Sequence, residues 1–170
     1  MLPCRPEHLK TFDYCGPHRY FLTFCTRHRR RLFVTPERVA AVLLQIQRVA
    51  GDGRFAILAY CFMPDHVHLL VEGQSEDADC RRFIARAKQF SGFHCQREFG
   101  ERLWQPYGYE RTLRNHDSTL SIARYIVENP VRAGLVSSAE DHPFTGSDVW
   151  KLPEILAAIQ MRPHWRARSG

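Results

Sequence analysis

Two histidines separated by one valine give the chain its clearest chemical signal. His66 and His68 lie in an apolar run that is typical of a β-strand, and alternate residues of a strand point to the same face. The two imidazoles therefore form a clamp that could hold a divalent metal, although strand histidines without any ligand show the same spacing. Leu69 and Leu70 follow where a binuclear hydrolase needs an acid and another histidine, which argues against that class of enzyme.

A second pair of side chains, Tyr125 and Asn129, offers further groups to such a site. They are four residues apart in a segment with helical periodicity, so they project from the same side of the helix. A carboxamide oxygen beside two imidazole nitrogens suits Mg²⁺ or Mn²⁺ and leaves positions open for phosphate oxygens. Two alternatives stay open, because a tyrosine among isoleucines often packs in a core and an asparagine before Pro130 suits a helix terminus.

The elements that must position these groups follow the order β-α-β-β-α-β-α. The sequence predicts strands at residues 20–26, 55–62, 66–72 and 107–113, and helices at residues 35–50, 78–99 and 118–129. Asp117 or Ser118 should cap the third helix, which should end or distort at Asn129 because a proline follows. This order predicts an α+β fold with a ferredoxin-like split βαβ arrangement, in which an antiparallel four-stranded sheet carries helices on one or both faces and a third helix is added.

The length of 170 residues suits one domain with its own core. A lead segment at residues 1–18 precedes a central domain at residues 19–142. A C-terminal extension at residues 143–170 carries apolar residues at helical spacing, which predicts a short amphipathic helix; they are Leu152, Ile155, Leu156 and Ile159.

The charge pattern favours a nucleic-acid partner. The net charge is +6, and an arginine-rich excess in a small domain favours a phosphate-bearing ligand. Six cysteines without any C-x-x-C spacing, no apolar signal core and no run long enough to cross a bilayer predict a reduced, cytoplasmic protein without membrane contact.

Two longer motifs carry a family resemblance. The run MPDHVHLLV at residues 63–71 and the run YIVENPVRAGLV at residues 125–136 together resemble the single-tyrosine HUH transposases, and among them the REP-associated tyrosine transposases of the IS200-like family. The likeness extends from about residue 19 to residue 136 and includes the basic segment after the first strand. Asp65 stands where the family often has asparagine, and we expect little effect because it precedes the clamp.

The resemblance implies a metal-dependent endonuclease and strand transferase for single-stranded DNA, acting in DNA transposition at palindromic, REP-like hairpins. Residues 19–142 would form the catalytic domain, and the third helix would be the catalytic helix. Tyr125 would be the nucleophile that forms a 5′-phosphotyrosine intermediate. His66, His68 and Asn129 would hold Mg²⁺ or Mn²⁺. Related transposases form dimers, so a homodimer is also an expectation.

Basic and aromatic residues are candidates for contacts with single-stranded or hairpin DNA, although each could equally be ordinary surface charge or packing. They are Arg27, Arg29, Arg30, Arg31, Lys88, Trp104 and Arg111. Two rival functions remain: a non-catalytic DNA-hairpin-binding protein of the same fold, and an HUH replication initiator or relaxase. The second rival is disfavoured because the chain has no P-loop motif.

Overall fold

The computed structural model of the chain describes residues 13–107, 109–113 and 119–160, with the backbone alone for residues 109–112. Its strands and helices are, in chain order, β1 (Arg19–Cys25), α1 (Pro36–Asp52), β2 (Phe55–Met63), β3 (His66–Gly73), α2 (Cys80–Phe99), β4 (Tyr109–Thr112), α3 (Thr119–Arg132), β5 (Thr145–Gly146) and α4 (Leu152–Gln160). Every predicted strand and helix is present, and no end is shifted by more than three residues.

The strands form one antiparallel sheet in the order β4-β1-β3-β2-β5. The first four of these strands have the ferredoxin-like order, which confirms the predicted α+β fold. The short strand β5 is an addition to the predicted four and pairs with the outer edge of β2, where Tyr60 lies opposite Gly146. In the centre of the sheet, His66 of β3 lies opposite Cys25 of β1, and His68 lies opposite Thr23.

The two faces of β3 belong to two different cores. Val67, Leu69 and Val71 are fully buried in the core beneath α1 and α2, while Leu70 is buried in the core beneath α3 and α4. This division follows from the two-residue period of a strand, and each such burial contributes roughly 1.5–3 kcal/mol. His66 and His68 have the same parity as Leu70, so they face the side that carries α3.

The sequence predicts that α3 ends or distorts at Asn129; it does not end there but continues through Pro130 to Arg132. Proline removes one backbone donor, but the last turn is held by the bond from the Leu135 N–H to the Pro130 carbonyl, at 2.9 Å. Gly134, with a φ of +70°, supplies the left-handed residue that this helix end requires. The predicted cap at Asp117 or Ser118 lies outside the described residues.

The segment after α3 joins the same sheet and core as the rest of the chain. Strand β5 pairs with β2, and Ile155 and Ile159 of α4 are buried in the core that α3 shares. Helix α4 lies where the sequence predicts a short helix. Within the described ranges, no helix combines the length and the apolar character that a bilayer span requires.

Candidate active site

The imidazoles of His66 and His68 converge on one point. The distance between their Nε2 atoms is 3.1 Å. Two ligands at right angles around an ion, each with a bond of roughly 2.1 Å, would have their nitrogens about 3.0 Å apart. The spacing therefore suits two ligands of one cation, as the sequence predicts.

Each imidazole also forms a hydrogen bond through its Nδ1 atom. Asp65 Oδ1 lies 2.6 Å from Nδ1 of His66, and Thr23 Oγ1 lies 2.8 Å from Nδ1 of His68. A carboxylate can only accept, so Nδ1 of His66 carries the proton and its Nε2 offers a lone pair. The Thr23 hydroxyl can donate or accept and therefore satisfies either tautomer of His68. Both contacts leave the Nε2 atoms available to a ligand.

Asp65 also connects the clamp to Arg29 of the basic loop, a contact that its position before the clamp did not indicate. The Nε atom of Arg29 donates to Asp65 Oδ2 at 2.8 Å, while Oδ1 of the same carboxylate holds His66. Carboxylates that orient ligating histidines raise ligand basicity and fix the tautomer. An acid directly before the first histidine is a signal in the sequence that could have pointed to this role.

Burial keeps both imidazoles neutral. His68 is only 6% exposed, and this burial, with smaller contributions from the positive charges of Arg132 and Arg29 and from His66, lowers its pKa from 6.5 to about 3. Burial also lowers the pKa of His66, against the opposing effect of Asp65. Metals bind the unprotonated form of imidazole, so both side chains are in the protonation state that a metal requires at neutral pH.

Helix α3 brings Tyr125 to the edge of this clamp. Ala123, Ile126 and Val127 are buried and fix the helix on the sheet, while Tyr125 projects from its flank and is 42% exposed. The centroid of its ring lies 5.8 Å from that of His68, with the rings edge to face. The phenol is therefore partly open to solvent beside the histidines, rather than enclosed in the core.

Two further residues of α3 lie on the turns after Tyr125. Asn129 is half-buried one turn along, and its role as a third metal ligand stays a prediction. The guanidinium of Arg132 lies 4.3 Å from the centroid of the Tyr125 ring, a contact that the sequence reasoning missed. In the described part of the chain, no group of three or more His, Cys, Asp or Glu side chains could hold a metal, so a third ligand from that part would be of another type.

The basic loop, residues 27–31, lies at the end of β1 beside the clamp. The hydroxyl of Thr26 donates to the carbonyl oxygens of Arg30 and Asp65, at 2.7 and 2.9 Å, which ties the loop to the turn before His66. His28 and Arg29 both have positive φ angles, of 56° and 55°, and such backbone strain persists only where the surroundings impose it. The surrounding contacts therefore hold the loop in place, and the loop presents positive charge beside the clamp.

The four arginines of this loop differ in their exposure and in the ion pairs that they form. Arg29 is bound to Asp65, and Arg30 forms an ion pair with Glu101 at 3.4 Å. Arg27 is half-buried and Arg31 is exposed. Their contacts with DNA stay predictions.

Two of the other predicted DNA contacts lie on the α2 side of the sheet. Trp104 donates its indole N–H to Ser91 at 2.8 Å, and its ring packs edge-on against Phe24, so it closes the core. The ammonium group of Lys88 donates to the carbonyl of Gln105 at 2.8 Å. The structure does not bring either side chain to the clamp, and the side chain of Arg111 lies outside the described residues.

Comparisons with known proteins find relatives of this chain among transposases. A family model described as transposase IS200-like matches residues 16–129, a span that contains the histidines, Tyr125 and Asn129. A REP-associated tyrosine transposase of Escherichia coli K12 is 29% identical over 127 residues, which cover 74% of each chain. A Haemophilus influenzae protein described as a candidate REP-associated tyrosine transposase is 23% identical over 152 residues, 78% of this chain and 81% of that protein.

A solved structure also resembles this chain in its three-dimensional fold. The REP-associated tyrosine transposase bound to a REP hairpin superposes on this chain with a TM-score of 0.68 and 26% sequence identity, and the match covers 82% of each chain. The likeness therefore extends well beyond the two motifs and includes the sheet and the helices that position them.

Proposed function

Since the chain belongs to the IS200-like transposase family, we propose that it cleaves and rejoins single-stranded DNA through a covalent bond between Tyr125 and a 5′ phosphate. His66 and His68, with Asn129 as the third ligand, hold the divalent cation, Mg²⁺ or Mn²⁺, on which the reaction depends. The substrates are palindromic repeats that fold into hairpins, as the solved relative is bound to a REP hairpin.

One observation carries this proposal: the ring of Tyr125 packs edge to face against His68, one of the two imidazoles whose Nε2 atoms lie 3.1 Å apart. A metal clamp alone is also compatible with hydrolysis by water. A partly exposed phenol beside the clamp supports transfer to the protein instead, because it offers a nucleophile next to the place where a phosphate would be bound. A covalent intermediate also keeps the energy of the phosphodiester bond, so rejoining needs no ATP.

In the proposed reaction, the Tyr125 oxygen attacks phosphorus and the bond from phosphorus to the 3′ oxygen breaks. Tyr125 loses its proton and the leaving 3′ oxygen gains one, so the products are a 5′-phosphotyrosine and a free 3′ hydroxyl. A divalent cation bound by the histidines supplies Lewis-acid polarisation of the phosphodiester. Rejoining is the reverse reaction, in which a 3′ hydroxyl displaces Tyr125.

The surroundings of the clamp favour an anionic backbone over other substrates. Arg29 lies beside the histidines, where it binds Asp65, and the same basic loop carries the exposed Arg31. Positive side chains gain affinity for nucleic acid mainly by neutralising phosphates. Single-stranded DNA suits the site better than a duplex, because its backbone can bend towards a phenol that projects from a helix.

The function can be tested with hairpin oligonucleotides taken from palindromic repeats of the genome that encodes the chain. Each hairpin carries single-stranded flanks and a label at either the 3′ or the 5′ end, and is incubated with protein and Mn²⁺. On a denaturing gel, the 3′ label should appear in a slow band attached to protein, while the 5′ label should appear in a short free fragment. Labelled fragments without any protein-bound band would indicate hydrolysis and would contradict the proposal.

A change at Asp65 tests how the clamp is oriented. Replacing Asp65 with alanine removes the acceptor of His66 Nδ1, and loss of such a partner lowers metal affinity by roughly 10- to 100-fold. Asp65→Asn keeps an oxygen that can accept the same bond, so it should lose much less. Calorimetric titration of Mn²⁺ into DNA-free protein measures both. Equal affinities for the wild type and Asp65→Ala would show that the carboxylate does not orient the ligand.

A further inference from the structure

We propose that Arg132 is a positioning residue that holds Tyr125 in the orientation from which it attacks DNA, an inference that rests on the proposed function. One guanidinium makes two separate contacts with Tyr125. Its carbon lies 4.3 Å from the centroid of the ring, and its Nη2 atom donates to the Tyr125 carbonyl oxygen. The side chain of Arg132 thus contacts both the backbone and the ring of Tyr125.

The helix geometry makes this contact a fixed feature of α3. Arg132 follows Tyr125 by seven residues, which is two turns, so both side chains project from the same side of the helix. The contact exists only because α3 continues past Pro130. Gly134 then ends the helix, and a cation in the last turn interacts favourably with the helix dipole.

Arg132 is not engaged mainly by an acidic partner. Glu128 lies between two arginines, each four residues away, but it is 2.9 Å from Arg124 and 3.9 Å from Arg132. Glu128 therefore pairs chiefly with Arg124, whereas the guanidinium of Arg132 lies over the Tyr125 ring. Because the two arginines differ in this way, Arg124 can serve as the matched control in the experiment.

The ring needs such a restraint because little else holds it. Tyr125 is 42% exposed, and its described contacts with other rings are edge-on to Phe21 and His68, at centroid distances of 5.7 and 5.8 Å. Arg132 adds a contact with the face of the ring. A cation over the ring also favours the negative charge that develops on the phenol oxygen during attack.

The test compares Arg132→Ala, Arg132→Lys and Arg124→Ala with the wild type under single-turnover conditions, at saturating hairpin and Mn²⁺. Misplacement of a reacting group by about 1 Å can cost roughly 100-fold in rate, so Arg132→Ala should form the adduct roughly 10- to 100-fold more slowly. Its affinity for the hairpin should change by about threefold or less. Arg132→Lys should recover part of the rate, because lysine keeps the cation, and Arg124→Ala should match the wild type.

A purely structural role would lower the melting temperature and the hairpin affinity together with the rate, and lysine would not rescue it. The inference is overturned if Arg132→Ala forms the adduct at the wild-type rate, or if Arg124→Ala is slowed as much as Arg132→Ala. If Arg132→Ala does not fold, Arg132→Gln replaces it under the same criteria. Absence of any adduct with the wild type would instead overturn the proposed function itself.

Discussion

Replacing Tyr125 with phenylalanine is expected to abolish the covalent protein–DNA adduct while leaving the fold and hairpin binding intact. The substitution removes only the oxygen that would attack phosphorus, and removing a nucleophile lowers turnover by at least about a thousandfold in enzymes with covalent catalysis. The ring contacts with Phe21, His68 and Arg132 do not need the hydroxyl. Adduct formation is measured on a denaturing gel with the 3′-labelled hairpin.

Hairpin affinity and the melting temperature decide whether this loss is chemical. Loss of one exposed hydroxyl changes stability or binding by roughly 0.5 kcal/mol or less, so both should stay close to wild type. Tyr107→Phe is a matched control, because Tyr107 is 75% exposed and has no described contact with the clamp. An undiminished adduct in Tyr125→Phe would assign the nucleophile to another residue.

Removing either imidazole of the clamp is expected to eliminate metal binding by the free protein and, with it, the adduct. His66→Ala and His68→Ala each leave one imidazole, and losing a ligand should cost more than the roughly 10- to 100-fold that loss of an outer-shell partner costs. Calorimetric titration with Mn²⁺ in the absence of DNA measures this directly. Tyr125→Phe should bind Mn²⁺ as the wild type does.

Two further variants separate metal binding from folding. His68 is buried, so His68→Gln accompanies His68→Ala to fill the space that alanine leaves. His94→Ala controls for the loss of a histidine elsewhere, because His94 lies on α2 and packs against Phe93, on the other side of the sheet. Unchanged Mn²⁺ affinity in the folded His66 and His68 variants would contradict the clamp.

The sequence predicts the fold and which site residues share a face of a strand or helix, because both depend on short-range periodicity. Alternation along β3 is enough to place His66 and His68 on one face, and the four-residue spacing places Tyr125 and Asn129 on one side of α3. That this face is the one covered by α3 depends on the chain order of a ferredoxin-like fold. Leu70, which shares this face of β3, is buried in one core with apolar side chains of α3, and this confirms it.

The residues that the sequence reasoning missed depend on contacts across the fold or on a helix end. Arg132 was not associated with Tyr125 because Pro130 predicts an earlier end of the helix, whereas the terminal bonds around Gly134 allow one more turn. Asp65 lies in a two-residue turn between strands, and its bond to Arg29 depends on how the basic loop folds. Neither arrangement has a periodic signal.

The predicted DNA contacts divide in the same way. Arg29 and Arg31 lie in the loop beside the clamp, whereas Trp104 and Lys88 are engaged by Ser91 and by backbone carbonyls on the α2 side. Composition identifies basic and aromatic side chains but does not distinguish those that face a ligand from those that close a core. The expected homodimer, like the cytoplasmic location, stays a prediction.

The most direct measurement of the central claim is to find which residue carries the DNA. After incubation with the hairpin and Mn²⁺, the adduct is trimmed with nuclease and digested with trypsin, which cleaves after Arg124 and after Arg132. Mass spectrometry should find the peptide of residues 125–132 with a nucleotide linked through its 5′ phosphate to Tyr125. A nucleotide on any other residue, or cleaved DNA with no modified peptide, would contradict the account.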